Sequence, residues 1–273
     1  MSSEPSEVPE EGSFLGGKPF FSRPVGKITI IWAVLTVVGV ILGLYVPGAL
    51  MPRMMSIEGH TDLETVILFT VLAAPVAAVV YGIAFYSLFA WRKKGAGLSE
   101  TPPPDGPPLR GNSGVTVTWL VTSAVLVIVL LVWGLAQYTA EDTPHPNTLV
   151  VDVIGQQWVW TFKYPGTGVE TRKLVLPVNR PVQFNVTSED VTHGFWSPNL
   201  GVQVDANPEV ITVVRASPDK LGNFWVRCSQ LCGLYHSFMV APGTVMTAPH
   251  FASWLERQGA SSAAATTTAD AAP

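Results

Sequence analysis

Hydrophobic residues are concentrated in three long runs in the first half of the chain. The runs span residues 28–46, 66–91 and 115–136, and none of them contains Asp, Glu, Lys or Arg. A helix needs about 20 apolar residues to cross the hydrocarbon core of a bilayer. Each run is long enough, so the pattern predicts three transmembrane helices within residues 28–138.

The pattern changes after Tyr138 to short stretches rich in Val, Ile, Thr and aromatic residues. Pro, Gly, Asn and Asp separate these stretches at the close spacing typical of a sandwich or barrel. A closing helix is predicted at residues 249–258, with Phe251, Trp254 and Leu255 on one face. We therefore expect an all-β Greek-key sandwich in an extracytoplasmic domain at residues 139–258. The predicted strands lie near 148–154, 157–164, 172–176, 181–188, 209–215, 222–227 and 240–247.

The segments outside these elements predict little packed structure. Residues 1–27 begin with an acidic stretch rich in Gly and Ser and are expected to form a flexible cytoplasmic tail. Residues 101–108, Thr-Pro-Pro-Pro-Asp-Gly-Pro-Pro, predict a stiff loop. Residues 259–273 are mostly Ala, Ser and Thr. Because they contain few large apolar groups, we expect a disordered tail.

Composition supports a membrane region and excludes one class of function. Hydrophobic residues make up 48% of the chain and charged residues only 13%, whereas soluble proteins have about 25% charged residues. The net charge of −4 provides no basic stripe of the kind that nucleic acid requires. Nucleic-acid binding is therefore set aside.

Basic residues predict the orientation, because they accumulate on the cytoplasmic side of short loops. The expected topology has the N-terminus inside a prokaryotic cytoplasmic membrane, three crossings and the C-terminal domain outside. The first run also fits a cleaved signal, but residues 28–46 are long for a signal core, which favours a retained helix. The basic residues are Lys18, Arg23 and Lys27 before the first run, Arg53 after it, and Arg92, Lys93, Lys94 and Arg110 before the third.

Both cysteines of the chain lie in one short segment with a histidine and a methionine. The segment is Cys-Ser-Gln-Leu-Cys-Gly-Leu-Tyr-His-Ser-Phe-Met, residues 228–239. Soft thiolate and thioether donors favour copper, particularly Cu(I), and imidazole also suits copper. Zinc typically takes four Cys or His ligands, so copper fits better. Taken alone, Cys228 and Cys232 would instead suggest a disulfide in an extracytoplasmic domain.

His193 supplies a further candidate ligand upstream of this segment. It lies in Asp-Val-Thr-His-Gly-Phe-Trp, residues 190–196, at the end of a predicted strand. A sandwich can bring such a side chain against the loop that carries the two cysteines. We therefore expect the fold, and not the loop alone, to build the metal site.

The pattern C-x3-C-x3-H-x2-M with an upstream His-Gly-Phe resembles the copper domain of cytochrome c oxidase subunit II. The resemblance spans about residues 147–254 and implies a cupredoxin-like sandwich with a binuclear copper centre, CuA. It implies six ligands: the bridging thiolates of Cys228 and Cys232, the imidazoles of His193 and His236, the Met239 thioether and the Gln230 carbonyl.

The aromatic segment at residues 155–164 is also similar to this family. Trp158 aligns with the exposed tryptophan that accepts the electron from cytochrome c. The neighbouring Trp160, Phe162 and Tyr164 are instead expected to fill one face of a strand.

One departure from the family concerns magnesium. Many members carry Glu where this chain has Gln230, and that side chain helps to hold a magnesium ion. A neutral amide is a poorer ligand for this hard cation, which makes a magnesium role doubtful. The copper role of Gln230 is unaffected because it uses the backbone.

The resemblance implies that the chain is the electron-accepting subunit of a respiratory oxidase. Electrons would pass from a soluble, tethered or fused cytochrome c to CuA, and then to haem in the catalytic subunit I, where oxygen is reduced. Further oxidase subunits and membrane lipid are the other expected partners. The alternatives are a CuA subunit of a nitric oxide reductase, a quinol oxidase subunit, and a stand-alone membrane copper-binding protein.

Acidic side chains of the outer domain predict how the donor docks. Cytochromes c are usually basic, so complementary charge would speed the encounter, and rising salt would slow it. The acidic residues are Asp152, Glu170, Glu189, Asp190 and Asp205.

Overall fold

Three long helices form the first part of the chain, as the apolar runs predict. All three are long and apolar enough to cross a membrane, which confirms the predicted membrane-spanning helices. In the computed structural model, which describes residues 22–90, 111–141 and 145–269, they are α1 (Pro24–Leu50), α2 (Ile57–Ala90) and α3 (Ser113–Glu141).

Some predictions fall outside the described residues. They are the tail before residue 22, the end of the second run at Trp91, the basic residues between α2 and α3, and the stiff loop at 101–108.

Small residues let α1 and α2 pack closely. A Cβ on Gly39 would lie 3.0 Å from the Cβ of Ala74, and a Cβ on Gly43 would lie 3.2 Å from Cγ2 of Thr70. The indole N–H of Trp32 donates a hydrogen bond of 2.9 Å to a backbone carbonyl of α2. Helices associate in bilayers through small residues and interhelical hydrogen bonds, so α1 and α2 make a specific contact.

The second half of the chain folds into two five-stranded sheets. The first sheet has the order β3-β2-β1-β5-β8 and the second has the order β4-β10-β9-β6-β7. The strands are β1 (Leu149–Gln156), β2 (Val159–Tyr164), β3 (Val169–Thr171), β4 (Leu174–Pro177), β5 (Val182–Ser188), β6 (His193–Ser197), β7 (Val202–Ala206), β8 (Thr212–Ala216), β9 (Gly222–Cys228) and β10 (Val240–Met246).

Two parallel pairs distinguish this sandwich from a simple antiparallel meander. β1 runs parallel to β5, and β4 runs parallel to β10, whereas the other pairs are antiparallel. A parallel pair needs a crossover connection, because a tight hairpin can join only antiparallel neighbours. The result is a cupredoxin-like Greek-key sandwich, which confirms the predicted fold class.

The aromatic residues of β2 lie in the core between the sheets. Trp160, Phe162 and Tyr164 are all buried, as the alternation along a strand predicts. The closing helix α4 (Ala248–Ala269) packs on them, with the rings of Phe251 and Trp254 centred 6.1 and 5.3 Å from the ring of Tyr164.

The end of the chain departs from the prediction. α4 continues to Ala269, whereas a disordered tail was expected from residue 259. Alanine has the highest intrinsic helix propensity, so the backbone of this Ala-rich stretch continues a helix that the core has already nucleated. The lack of large apolar side chains was the wrong criterion here.

The connection between α1 and α2 belongs to the same compact unit as the sandwich. The Met55 N–H donates to the Asn199 carbonyl at 2.7 Å, and the Asp219 N–H donates to the Met55 carbonyl at 3.0 Å. The buried Ser56 hydroxyl donates to the Leu200 carbonyl at 2.7 Å. These bonds hold the start of α2 against the turn that follows β6.

Candidate metal centre

Two neighbouring strands bring the upstream histidine to the cysteines. His193 is the first residue of β6, and Cys228 is the last residue of β9. The two strands pair antiparallel, with Phe195 opposite Cys228. The Ser229 N–H then donates to the Gly194 carbonyl at 3.0 Å, which continues the contact into the loop. We call residues 228–239, between β9 and β10, the metal loop.

The two cysteine sulfurs form the middle of the site. Their Sγ atoms lie 3.7 Å apart, whereas a disulfide has a sulfur–sulfur distance of about 2.05 Å. Both cysteines are free thiols, and both are buried. The disulfide alternative therefore does not describe this structure.

Each thiol has its own histidine. His193 Nδ1 lies 3.9 Å from the Sγ of Cys228, and His236 Nδ1 lies 3.6 Å from the Sγ of Cys232. His193, Cys228 and Cys232 together form a buried group whose ligand atoms are within 4.8 Å of one another. The site therefore has two similar halves that share a central pair of sulfurs.

Two weaker donors lie beside the same sulfurs. The Met239 Sδ is 3.8 Å from the Sγ of Cys232, and the Gln230 carbonyl oxygen is 3.1 Å from the Sγ of Cys228. Met239 is fully buried, whereas Gln230 is exposed. All six residues that were singled out as ligands thus converge on one place.

The donor set fits copper better than a single zinc ion. Two imidazoles, a thioether and a carbonyl surround a central pair of thiols, which makes six donors in all, whereas structural zinc takes four ligands. Soft sulfur donors with imidazole are the combination that copper prefers. The cluster is therefore compatible with a copper site that holds more than one ion.

Asp190 supports His193 from behind, a role that the sequence analysis missed. The His193 Nε2–H donates to Asp190 Oδ1 at 2.8 Å, which leaves Nδ1 facing Cys228 as a potential ligand. Metal-ligating histidines commonly donate their other ring N–H to a carboxylate in this way. The only signal in the sequence was an Asp three residues before a candidate ligand.

Hydrogen bonds also keep Asp190 ionised. Burial alone would raise the pKa of this carboxyl, but hydrogen bonds from the Gln157 N–H, the His193 ring and the Val191 N–H lower it below its ordinary value. An ionised carboxylate is the stronger acceptor for the imidazole N–H.

Burial has the opposite effect on the Cys232 thiol. Burial, followed by the hydrogen bond and charge of Cys228, raises the pKa of Cys232 to about 12. A metal ion must therefore displace the proton of Cys232 to bind there.

Trp158 lies against the metal loop. It sits in the tight turn between β1 and β2, and its ring meets the ring of Tyr235 edge-on at 4.8 Å. A Cβ on Gly233 would lie 3.4 Å from the indole Nε1 of Trp158. Trp158 is half-buried, so this tryptophan connects the surface to the loop that carries the ligands.

The outer surface of the metal loop is apolar. No Asp or Glu occurs between residues 228 and 239. The exposed fractions are 81% for Leu231, 81% for Leu234, 50% for Tyr235 and 74% for Phe238. Exposed apolar patches of this kind are typical of interaction sites.

Relatives of the sandwich are known. A family model described as "Cytochrome C oxidase subunit II, periplasmic domain" matches residues 167–245, a range that includes all six candidate ligands. The chain is 32% identical over 206 residues to heme-copper oxidase subunit 2 of Aeropyrum pernix, which covers 68% of this chain and 84% of that protein.

Other relatives carry similar names. The chain is 30% identical over 205 residues to cytochrome c oxidase subunit 2 of Alkalihalophilus pseudofirmus, and this alignment covers 72% of this chain but 58% of that protein. The corresponding protein of Thermostichus vulcanus is 42% identical over 106 residues, which cover 39% of this chain and 32% of that protein. The chain thus spans less than two thirds of both these relatives.

A solved structure shows a similar domain. The crystal structure of the periplasmic domain of subunit II of cytochrome oxidase from Bradyrhizobium japonicum is 33% identical, with a TM-score of 0.39. The match covers 40% of this chain and 92% of that chain.

Proposed function

The chain belongs to the family of cytochrome c oxidase subunit II, and we propose that it is the electron-accepting subunit of a respiratory cytochrome c oxidase. It takes electrons from cytochrome c at a binuclear copper centre, CuA, and passes them to haem in subunit I, where oxygen is reduced. The observation that carries this proposal is the convergence of four further donors on two thiols that lie 3.7 Å apart.

The protein's own residues define the centre. Cys228 and Cys232 would bridge two copper ions, and His193 and His236 would each bind one, with Met239 and the Gln230 carbonyl as weaker ligands. When bound, the copper pair supplies a one-electron carrier. The sandwich holds the sulfurs and His193 in place and excludes water, since these residues are almost fully buried. Little has to move when the charge changes, which favours fast transfer.

Trp158 is the proposed point of electron uptake. Its ring is partly accessible and contacts Tyr235 of the metal loop. A donor whose haem edge touches this ring would lie close to the ligands without entering the buried site.

The acidic docking patch is weaker than the sequence suggested, because three of its five carboxylates already have partners. Asp152 accepts a hydrogen bond from the Asn185 amide at 2.9 Å, and Glu170 pairs with Lys163 at 3.3 Å. Asp190 is bound to His193.

We therefore propose that the donor docks mainly on apolar surface. Leu231, Leu234, Tyr235 and Phe238 are exposed on the metal loop, where Tyr235 contacts Trp158. No acidic residue occurs in this loop. Burial of such side chains against an apolar collar around a haem edge would supply the binding free energy. Charge would contribute only a modest part of the encounter rate.

The proposed topology has the N-terminus in the cytoplasm, a retained α1 and the copper domain outside a prokaryotic cytoplasmic membrane. The α1–α2 connection is hydrogen-bonded to the sandwich, so three crossings leave the N-terminus on the opposite side. The close packing of α1 on α2 supports retention of α1. The intact mass of the mature chain tests retention directly.

Metal analysis and electron paramagnetic resonance on the full-length chain test the central proposal. The expected result is two copper ions per chain and a hyperfine pattern from one electron shared by two copper nuclei. Cys228→Ser should abolish the pattern. A chain that is free of copper and has a Cys228–Cys232 disulfide would overturn the proposal. Oxygen rather than nitric oxide consumption by the copurifying haem subunit would identify the oxidase.

A further inference from the structure

Gln157 forms two hydrogen bonds from the turn that carries Trp158. Its backbone N–H donates to Asp190 Oδ2 at 2.7 Å. Its side-chain Nε2 donates to the carbonyl oxygen of Cys232, also at 2.7 Å. Both distances are at the short end of the range for N–H···O bonds.

These two bonds reach both halves of the metal centre. Asp190 holds His193 through its other oxygen. The backbone bond therefore connects the turn to the half of the centre that contains His193 and Cys228, which we call the sandwich half. The Cys232 carbonyl belongs to the metal loop. The side-chain bond therefore connects the same turn to the half of the centre that contains Cys232 and His236, which we call the loop half. Gln157 thus ties the turn to both sides of the centre.

The metal loop is shaped to admit this amide. Gly233 has φ of +121°, and a Cβ at this position would lie only 3.0 Å from the Nε2 of Gln157. The same Cβ would lie 3.4 Å from the indole of Trp158. A residue without a side chain therefore lets Gln157 and Trp158 approach the loop together.

Gln157 is not part of the hydrophobic core. The residue is exposed, so shortening its side chain removes no buried apolar volume. The long amide side chain has several rotamers, and fixing one of them costs conformational entropy. One hydrogen bond from the backbone and one from the side chain hold Gln157 in one geometry next to Trp158.

We propose that Gln157 is a positioning residue for electron uptake. Its side-chain amide clamps the Trp158 turn to the Cys232 carbonyl, and the hydrogen bond provides a short connection between the two. This inference rests on the function proposed above. In the step concerned, the haem iron of the donor loses one electron and the copper centre gains it, and no proton or covalent bond changes at Gln157.

The test uses the full-length chain assembled with its haem subunit and loaded with copper. Gln157→Leu removes the amide at similar size, and Gln157→Asn keeps an amide that is too short to reach the carbonyl. Gln156→Leu is the matched control, since Gln156 is the exposed neighbour and its side chain makes no hydrogen bond to the described residues. Stopped-flow reduction by cytochrome c is compared with reduction by a small diffusible reductant.

Both Gln157 variants should keep their copper but accept electrons from cytochrome c about tenfold more slowly, the order of effect expected for a displaced reacting group. Reduction by the small reductant, which does not need Trp158, should be unchanged. Hydrogen exchange of the metal-loop amides in the metal-free chain should become faster in both variants. The Gln156 variant should match the unmodified chain in every measurement.

Three outcomes would overturn the inference. Gln157→Leu could behave like Gln156→Leu in rate and exchange, so that the clamp has no effect. It could lose copper, so that Gln157 holds the ligands themselves. It could slow reduction by cytochrome c and by the small reductant equally, which would mean that Gln157 does not act by positioning Trp158. If the unmodified chain binds no copper, the proposed function itself fails, which is a separate result.

Discussion

The two halves of the candidate metal centre have similar candidate ligands but are held in different ways. His193 is fully buried, starts a β-strand and is braced by Asp190. His236 is only half-buried and starts a short 3-10 turn in the metal loop. Its ring contacts the Cys232 thiol and makes no other hydrogen bond to the part of the chain that the structure describes.

This difference shows how one site can be both rigid and accessible. The sandwich half is formed by the core of the domain before any metal binds. The loop half lies beside Trp158 and the exposed apolar side chains, where a partner can approach. In the proposed function, preorganisation of one half would limit rearrangement on electron transfer, and exposure of the other half would provide the contact with the donor.

The largest expected effect is on the sandwich half. His193→Ala should lose copper and also destabilise the metal-free chain by about 3 kcal/mol, because it leaves a cavity and removes the hydrogen bond between the ring and Asp190. His236→Ala should also lose copper but reduce the free energy of unfolding by less than about 1 kcal/mol. Copper content and thermal unfolding followed by circular dichroism check both. Equal loss of stability in the two variants would contradict the comparison.

A smaller effect is expected at Asp190, which accepts the hydrogen bond of the His193 ring. Asp190→Asn removes one charged acceptor and should lower copper affinity by about 10- to 100-fold, the range for lost outer-shell partners of metal ligands. The protein should still fold, since an amide fills the same space. Titration against a competing chelator measures the change. Glu189→Gln is the control, because Glu189 is the exposed neighbour, and a similar loss in this control would argue against a specific role for Asp190.

A still smaller change tests the space around the His193 ring. A Cβ at Gly155 would lie 3.0 Å from His193 Cδ2 and 3.2 Å from Trp160 Cζ3. Gly155→Ala should therefore shift the ring by a few tenths of an ångström and cost about 1 kcal/mol of stability. The copper spectrum should shift slightly at full occupancy. Complete loss of copper would mean that the His193 ring cannot shift even by a few tenths of an ångström and still bind the metal.

The smallest expected effect concerns the loop half and salt. If docking is mainly apolar, the rate of reduction by cytochrome c should change by no more than about twofold between low and physiological ionic strength. Phe238→Ser should slow the reaction more than this change in salt does, because it removes exposed apolar contact area. A steep fall of the rate with rising salt would instead support docking on the acidic residues.

Local patterns in the sequence were sufficient for much of this protein. Apolar runs indicated the three helices, and alternation along β2 indicated that Trp160, Phe162 and Tyr164 are buried. The segment around Cys228 indicated most of the candidate ligands, because five of the six candidate donors lie within one loop. The extension of α4 was missed because local helix propensity at its Ala-rich end was given too little weight.

Other features depend on contacts between distant residues. Asp190 has the appearance of a surface acid in the sequence, yet it accepts the ring N–H of His193 and also the backbone N–H of Gln157, 33 residues earlier. The link from Gln157 to Cys232 joins the turn after β1, in one sheet, to the loop after β9, in the other. Neither contact of Gln157 has a periodic or motif-like signal, because both arise only when distant segments meet in the fold.

The sequence by itself determined which parts of this chain enter the membrane and which side chains can serve as ligands, since both follow from local composition and spacing. Only the tertiary structure decided which histidine is buried, which carboxylate supports it and which surface remains open to a partner. Burial and hydrogen bonding are properties of the folded packing, and residues far apart in the chain acquire them together.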